Sequence, residues 1–126
     1  MPEFDTERIK EQLFAAIQNV CPDVFRTYPP TFARLPCASF YEISEKPYVY
    51  SDDGVYLVEY VFSVDAWAAA DAECEETARA ADSALLAAGF ERLDGADARF
   101  TQGYSYGATE RLRGIRHKNM RYRIIV

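Results

Sequence analysis

The chain has 126 residues, of which 49% are apolar and 27% charged, a length and balance that fit one globular domain with a single core. Its net charge of −6 disfavours a general nucleic-acid binder, and no apolar run approaches the roughly 20 residues that span a bilayer. The start, MPEFDTERIK, is polar and acidic rather than basic-then-apolar, so no signal peptide is expected and the expected location is the cytoplasm of the producing cell.

The first element is a helix. From Asp5, a suitable N-cap, the residues Ile9, Leu13, Ala16, Ile17 and Val20 recur on one stripe, and Pro22 ends the run. A short extended piece at 24–28 leads into YPPTFARLP, whose three prolines enforce a non-helical connection. Two strands are expected next, CASFYEI (37–43) and GVYLVEYVFSVD (54–65). In the second, Tyr56, Val58, Tyr60, Phe62 and Val64 form a buried face. The opposite face, Val55 to Asp65, turns polar toward its end. Between the strands, SEKPYVYSDDG reads as a long hairpin loop carrying Tyr48 and Tyr50.

A second helix is expected from Ala70 to Ala88, with Cys74, Ala78, Ala81, Leu85 and Ala88 as its stripe and Gly89 at the C′ position. Its acids cluster early, where they suit the helix dipole. GFERL (89–93) reads as a further strand and DGADARFTQGYSYGATERLRG as turn and loop. The closing GIRHKNMRYRIIV alternates as a strand, with Met120, Tyr122, Ile124 and Val126 toward the core and Asn119, Arg121, Arg123 and Ile125 away from it. Strands joined by hairpins, with two helices on one face, define an α+β fold with a mainly antiparallel sheet in a single domain over 1–126.

Chemistry finds little purchase. Cys21, Cys37 and Cys74 are odd in number and lack close Cys-x-x-Cys spacing, so buried reduced thiols are preferred over a Cys₃His zinc site completed by His117. His117, the one histidine, stands between Arg116 and Lys118 with no carboxylate beside it in sequence, and reads as a surface or interface histidine rather than a base. The pairs Asp52–Asp53 and Glu75–Glu76 read as turn and helix-surface charge, and QGYSYG (102–107) lacks the flanking strand and helix of a phosphate cradle. No enzyme, catalytic residue, cofactor or metal is expected.

Charge is asymmetric. Residues 1–110 carry eight basic and twenty acidic groups, whereas 111–126 carry six cations and no acid. The alternative reading, an accessory protein gripping nucleic acid with RHKNMRYR, competes with a plainer one in which Arg121 and Arg123 pair with Glu59 or Asp65 on a neighbouring strand. The basic end is expected to meet acidic surface on its own chain or on a neighbour. Nine tyrosines and eight phenylalanines exceed what such a core absorbs, and tyrosine with arginine is enriched at protein interfaces.

The order of these elements resembles the small tail-completion or tail-terminator proteins of long-tailed bacteriophages and prophages, also called minor tail or head–tail joining proteins. The resemblance runs over most of the chain. It rests on the N-terminal amphipathic helix, VFRTYPPTFARLPCASFYEI, the strand ending VFSVDAW, the alanine- and acid-rich helix closing in LLAAGF, and HKNMRYRIIV. It implies a non-enzymatic virion protein, assembled in the host cytoplasm and residing in the tail or neck. Such proteins form a ring, commonly hexameric, that ends the tail tube and meets the head connector. Expected partners are thus further copies of the chain, the tube protein and the connector, with no membrane and with DNA only in transit through an acidic lumen. Interface expectations are regional: Tyr48, Tyr50, Asp52 and Asp53 in the 46–53 loop, Tyr104, Tyr106, Arg111 and Arg113 in the 100–113 loop, and Arg116, Arg121 and Arg123 on the last strand. The segment TQGYSYGATERLRG is longer than the turn the resemblance implies there.

Overall fold

In a computed structural model, which describes residues 6–26, 34–51, 54–93, 100–104 and 115–126, the chain runs α1 (Thr6–Gln18), β1 (Val24–Phe25), β2 (Cys37–Ser51), β3 (Gly54–Ala68), α2 (Asp71–Ala87), β4 (Glu91–Arg92), β5 (Phe100–Tyr104) and β6 (Ile115–Ile125). The six strands form one sheet in the order β1-β2-β3-β6-β4, with β5 also on β6. All pairings are antiparallel except β1 with β2, as the α+β reading requires.

The helices cover one face because their apolar stripes have nowhere else to go. Ile9, Leu13 and Ile17 of α1 and Cys74, Ala78, Ala81 and Leu85 of α2 join Phe40, Val58, Tyr60, Phe62, Val64, Met120, Tyr122 and Ile124 of the sheet in one core. Phe14, Phe40, Phe62 and Phe90 run through it in edge-to-face contacts with centroids 6.4–6.5 Å apart. The alanines of α2 let it lie close to the strands. It ends in a Schellman motif: Phe90 N–H donates to Leu85 O at 3.0 Å and Gly89 N–H to Leu86 O at 3.1 Å, with Gly89 at φ +99°. Gln12 Nε2 donates to Ala88 O at 3.0 Å, tying α1 to that cap.

Several expectations need correction. β2 does not stop at Ile43 before a long loop; it continues to Ser51, paired with β3 throughout. Register shifts at Glu42/Ser44, Pro47/Val49 and Val49/Tyr50 absorb the proline, which an edge strand tolerates because it owes no ladder hydrogen bond on its outer side. Tyr48 and Tyr50 are therefore strand residues. Likewise β3 runs on to Ala68, and 100–104, read as loop, is a strand in which Tyr104 pairs with Ile115. Val20 is exposed rather than on the buried stripe, because α1 ends at Gln18 and Cys21 takes the buried place. Val126 also faces solvent, lying one residue past the end of β6.

Candidate assembly surfaces

α2 lies along β6 in the same direction, and its acids meet that strand's polar side chains in order. Asp71 Oδ1 accepts from Arg116 Nε at 2.6 Å, Glu75 from Lys118 Nζ at 3.0 and 3.2 Å, and Asp82 Oδ1 from the Tyr122 hydroxyl at 2.5 Å. Arg92 Nη1 adds a cation 3.5 Å from the same Asp82 oxygen. The spacings match: eleven helical residues rise about 16 Å and six strand residues about 20 Å.

On the other face of the sheet, Arg123 Nη1 reaches Glu59 Oε2 at 3.1 Å, and its Nε and Nη2 grip Glu91 at 3.2 Å each. Glu59 also meets Lys46 Nζ at 3.5 Å. Hydrogen bonds from the guanidinium to Glu91 first and Glu59 second raise the Arg123 pKa further. So the described cations of β6 are answered mainly by their own chain: Arg116, Lys118 and Arg123 all find acids on α2, β3 or β4. Arg121 alone among the described cations of β6 is exposed and without an ion pair among the described residues.

Asp65 is not an arginine partner. It is 1% exposed; its Oδ1 lies 2.5 Å from His117 Nε2 and accepts from Asn119 Nδ2 at 2.9 Å. His117 is correspondingly buried, not on the surface, because β6 pairs with β3 in a register that brings a carboxylate two rows from its own. Its ring stacks on Trp67, with centroids 4.0 Å apart and planes 14° apart, and the Trp67 indole N–H donates to Ser39 Oγ at 3.0 Å. Cys37, Trp67 and Ile115 form a second small core here, with Phe25 and Leu35 against it. Sequence marks only that the polar end of β3 has to be satisfied once buried, not which residue satisfies it.

The cluster is buried, with Asp65 at 1% and His117 at 7% exposure. The cysteines are free and buried, and burial pushes the Cys37 and Cys74 thiols up to about 12. Among the described residues no group of three His, Cys, Asp or Glu side chains is placed to hold a metal ion, and no helix is long and apolar enough to cross a membrane.

What the surface does offer is apolar. Among the described residues β6 pairs with β3 as far as Val58, whose backbone pairs with Val126, while β2 and β3 stay paired past that point, to Ser51 and Gly54, as a two-stranded ribbon. Tyr41, Ile43, Tyr48 and Val49, half of the large apolar side chains found exposed among the described residues, lie on β2. Of the residues expected at an interface, Tyr48 is thus exposed on this ribbon, Tyr50 and Tyr104 lie in strands, and Arg116 and Arg123 are engaged within the chain. Asp52, Asp53, Tyr106, Arg111 and Arg113 fall outside the described residues. Tyr41, Ile43 and Val49 had been missed because they sit in strand-like sequence, where alternation alone does not say whether an outward face is covered.

A protein-family model described as tail completion protein gp17 matches residues 12–126. No curated protein matches the chain.

Proposed function

The chain belongs to the tail completion protein gp17 family and so has a structural role in phage tail assembly, and from that premise we propose that, as one domain, it forms a ring that ends the tail tube and joins it to the head connector. The observation that carries this reading is the β2–β3 ribbon. A two-stranded ribbon is marginal in water by itself, and one bearing an exposed tyrosine and valine gains stability when a neighbour covers it. The pairing of Arg116, Lys118 and Arg123 with acids of the same chain supports a passage that DNA crosses without being held. Further copies of the chain, the tube protein and the connector are the partners in this reading, with the ring commonly a hexamer.

Light scattering on the eluted protein, followed by electron microscopy, tests the ring. The expected outcome is one closed species of fixed subunit number with a central opening. Open chains of unlimited length, or a monomer even when bound at a tube end, contradict it.

A further inference from the structure

We propose that the first half of α1 is a proton-dependent strap, which clasps β2 when the Glu42 carboxyl is protonated and loosens when that group ionises. The strap does not depend on ring formation.

α1 lies along β2 in the opposite direction, and two contacts fix its line. The Phe14 and Phe40 rings meet edge to face at 6.4 Å, and the Thr6 hydroxyl donates to Glu45 Oε2. Thr6, Lys10 and Phe14 stand one turn apart on the same side of the helix, so Lys10 falls midway between the two contacts. On the strand, Glu42 falls between Phe40 and Glu45. The spans agree: eight helical residues rise about 12 Å and five strand residues about 16 Å, shortened here by the register shift between Glu42 and Ser44. Glu42 lies opposite Phe62 and Glu45 opposite Tyr60, both core residues, so the two acids share the face that the helices cover.

That place suits a neutral carboxyl better than a charged one. Glu42 Oε2 is buried and makes no hydrogen bond, whereas a carboxylate needs donors around it. The cation set over it, Lys10, has its Nζ 3.6 Å from Glu7 Oε1, and Glu7 also holds Arg26 at 3.2 Å. The described charges that face Glu42 are thus Glu7 and Lys10 from α1 and Glu45 from its own strand, two acids against one cation, with Tyr60 and Phe62 beside it on β3. Burial first, and Glu45 next, push the Glu42 carboxyl above its ordinary 4.5; Lys10 opposes the rise and Glu7 adds to it.

Below 4.5 the carboxyl is protonated whether α1 is docked or lifted. As pH rises, Glu42 of a lifted strap ionises first, while docking keeps the proton in place. Docking is therefore tightest in acid and weakens as pH climbs through the raised value. The far half of α1 carries no such group on its buried side. Gln12 ties it to Ala88, and Ile17 is buried.

Backbone hydrogen exchange reads the strap directly, as the protection of residues 6–14 relative to α2, each rate divided by the intrinsic rate at that pH. In the natural chain this relative protection is expected to rise as pH falls from neutral toward 4.5. Glu42→Gln is expected to show at neutral pH the protection that the natural chain reaches in acid, and to lose the pH dependence. Lys10→Gln removes the cation that favours ionised Glu42, so it is expected to lower protection at neutral pH and to keep the rise in acid. Glu76→Gln, exposed on α2, is expected to behave as the natural chain. If Glu42→Gln does not fold, the natural chain and Lys10→Gln decide between them. Protection that ignores pH or falls in acid, a Glu42→Gln chain that keeps the natural slope, or a Lys10→Gln chain that loses it, overturns the inference.

Discussion

His117 Nε2 lies 2.5 Å from Asp65 Oδ1, both groups buried, and the same imidazole stacks on Trp67. One short hydrogen bond thus ties the imidazole to the carboxylate inside the fold. Removing one member of a buried pair strands the other. Asp65→Ala is expected to cost about 3 kcal/mol in urea unfolding, and Asp65→Asn less, because the amide keeps one oxygen toward a donor.

The clips between α2 and β6 differ in worth according to exposure. Arg116 and Asp71 are partly exposed, so Arg116→Ala is expected to cost under about 1 kcal/mol, and less still in high salt. Tyr122 is fully buried, and Tyr122→Phe leaves Asp82 without its hydroxyl donor. That change is expected to cost about 1–2 kcal/mol and to be nearly insensitive to salt. Thermal unfolding of both variants at low and high salt checks the contrast.

The thiols predict an alkaline limit. An unfolded thiol ionises near 9.0, whereas folding holds Cys37 and Cys74 protonated to about 12. Between those values the unfolded chain binds fewer protons than the folded one, so stability falls as pH rises. The contribution is complete below 9.0 and is lost progressively toward about 12. Cys74→Ala is expected to make the fall shallower. At mildly alkaline pH the native protein should resist thiol-specific labelling that the unfolded chain accepts.

The basic end should not grip DNA. Arg116, Lys118 and Arg123 are each held by carboxylates, so a mobility-shift assay at physiological salt is expected to show no retained complex. Tight, steeply salt-dependent binding would restore the nucleic-acid alternative.

Much of the fold was legible because burial imposes periodicity. The stripes of both helices, the paired faces of β3 and the core side of β6 follow from spacing alone, and Gly89 announces its own cap. The length of β2 was not legible, since Pro47 within a tyrosine-rich run reads as a turn unless the bulges that absorb it are known. Nor was the His117–Asp65 pair, because their contact depends on the β3–β6 register across 52 residues of chain. Composition pointed to tyrosines, but only the pairing of β2 with β3 shows that Tyr48 is an exposed strand residue and not part of a loop. Strand alternation did anticipate the pairing of Arg123 with Glu59, though not that of Arg116 with Asp71 on α2.

The most direct measurement is tail-tube growth in the presence of the purified chain, followed by electron microscopy. The account predicts that the protein arrests elongation at a fixed, small number of copies per tube and appears as a cap at one end. Tubes that keep lengthening with the protein present, or protein scattered along their sides, would contradict it.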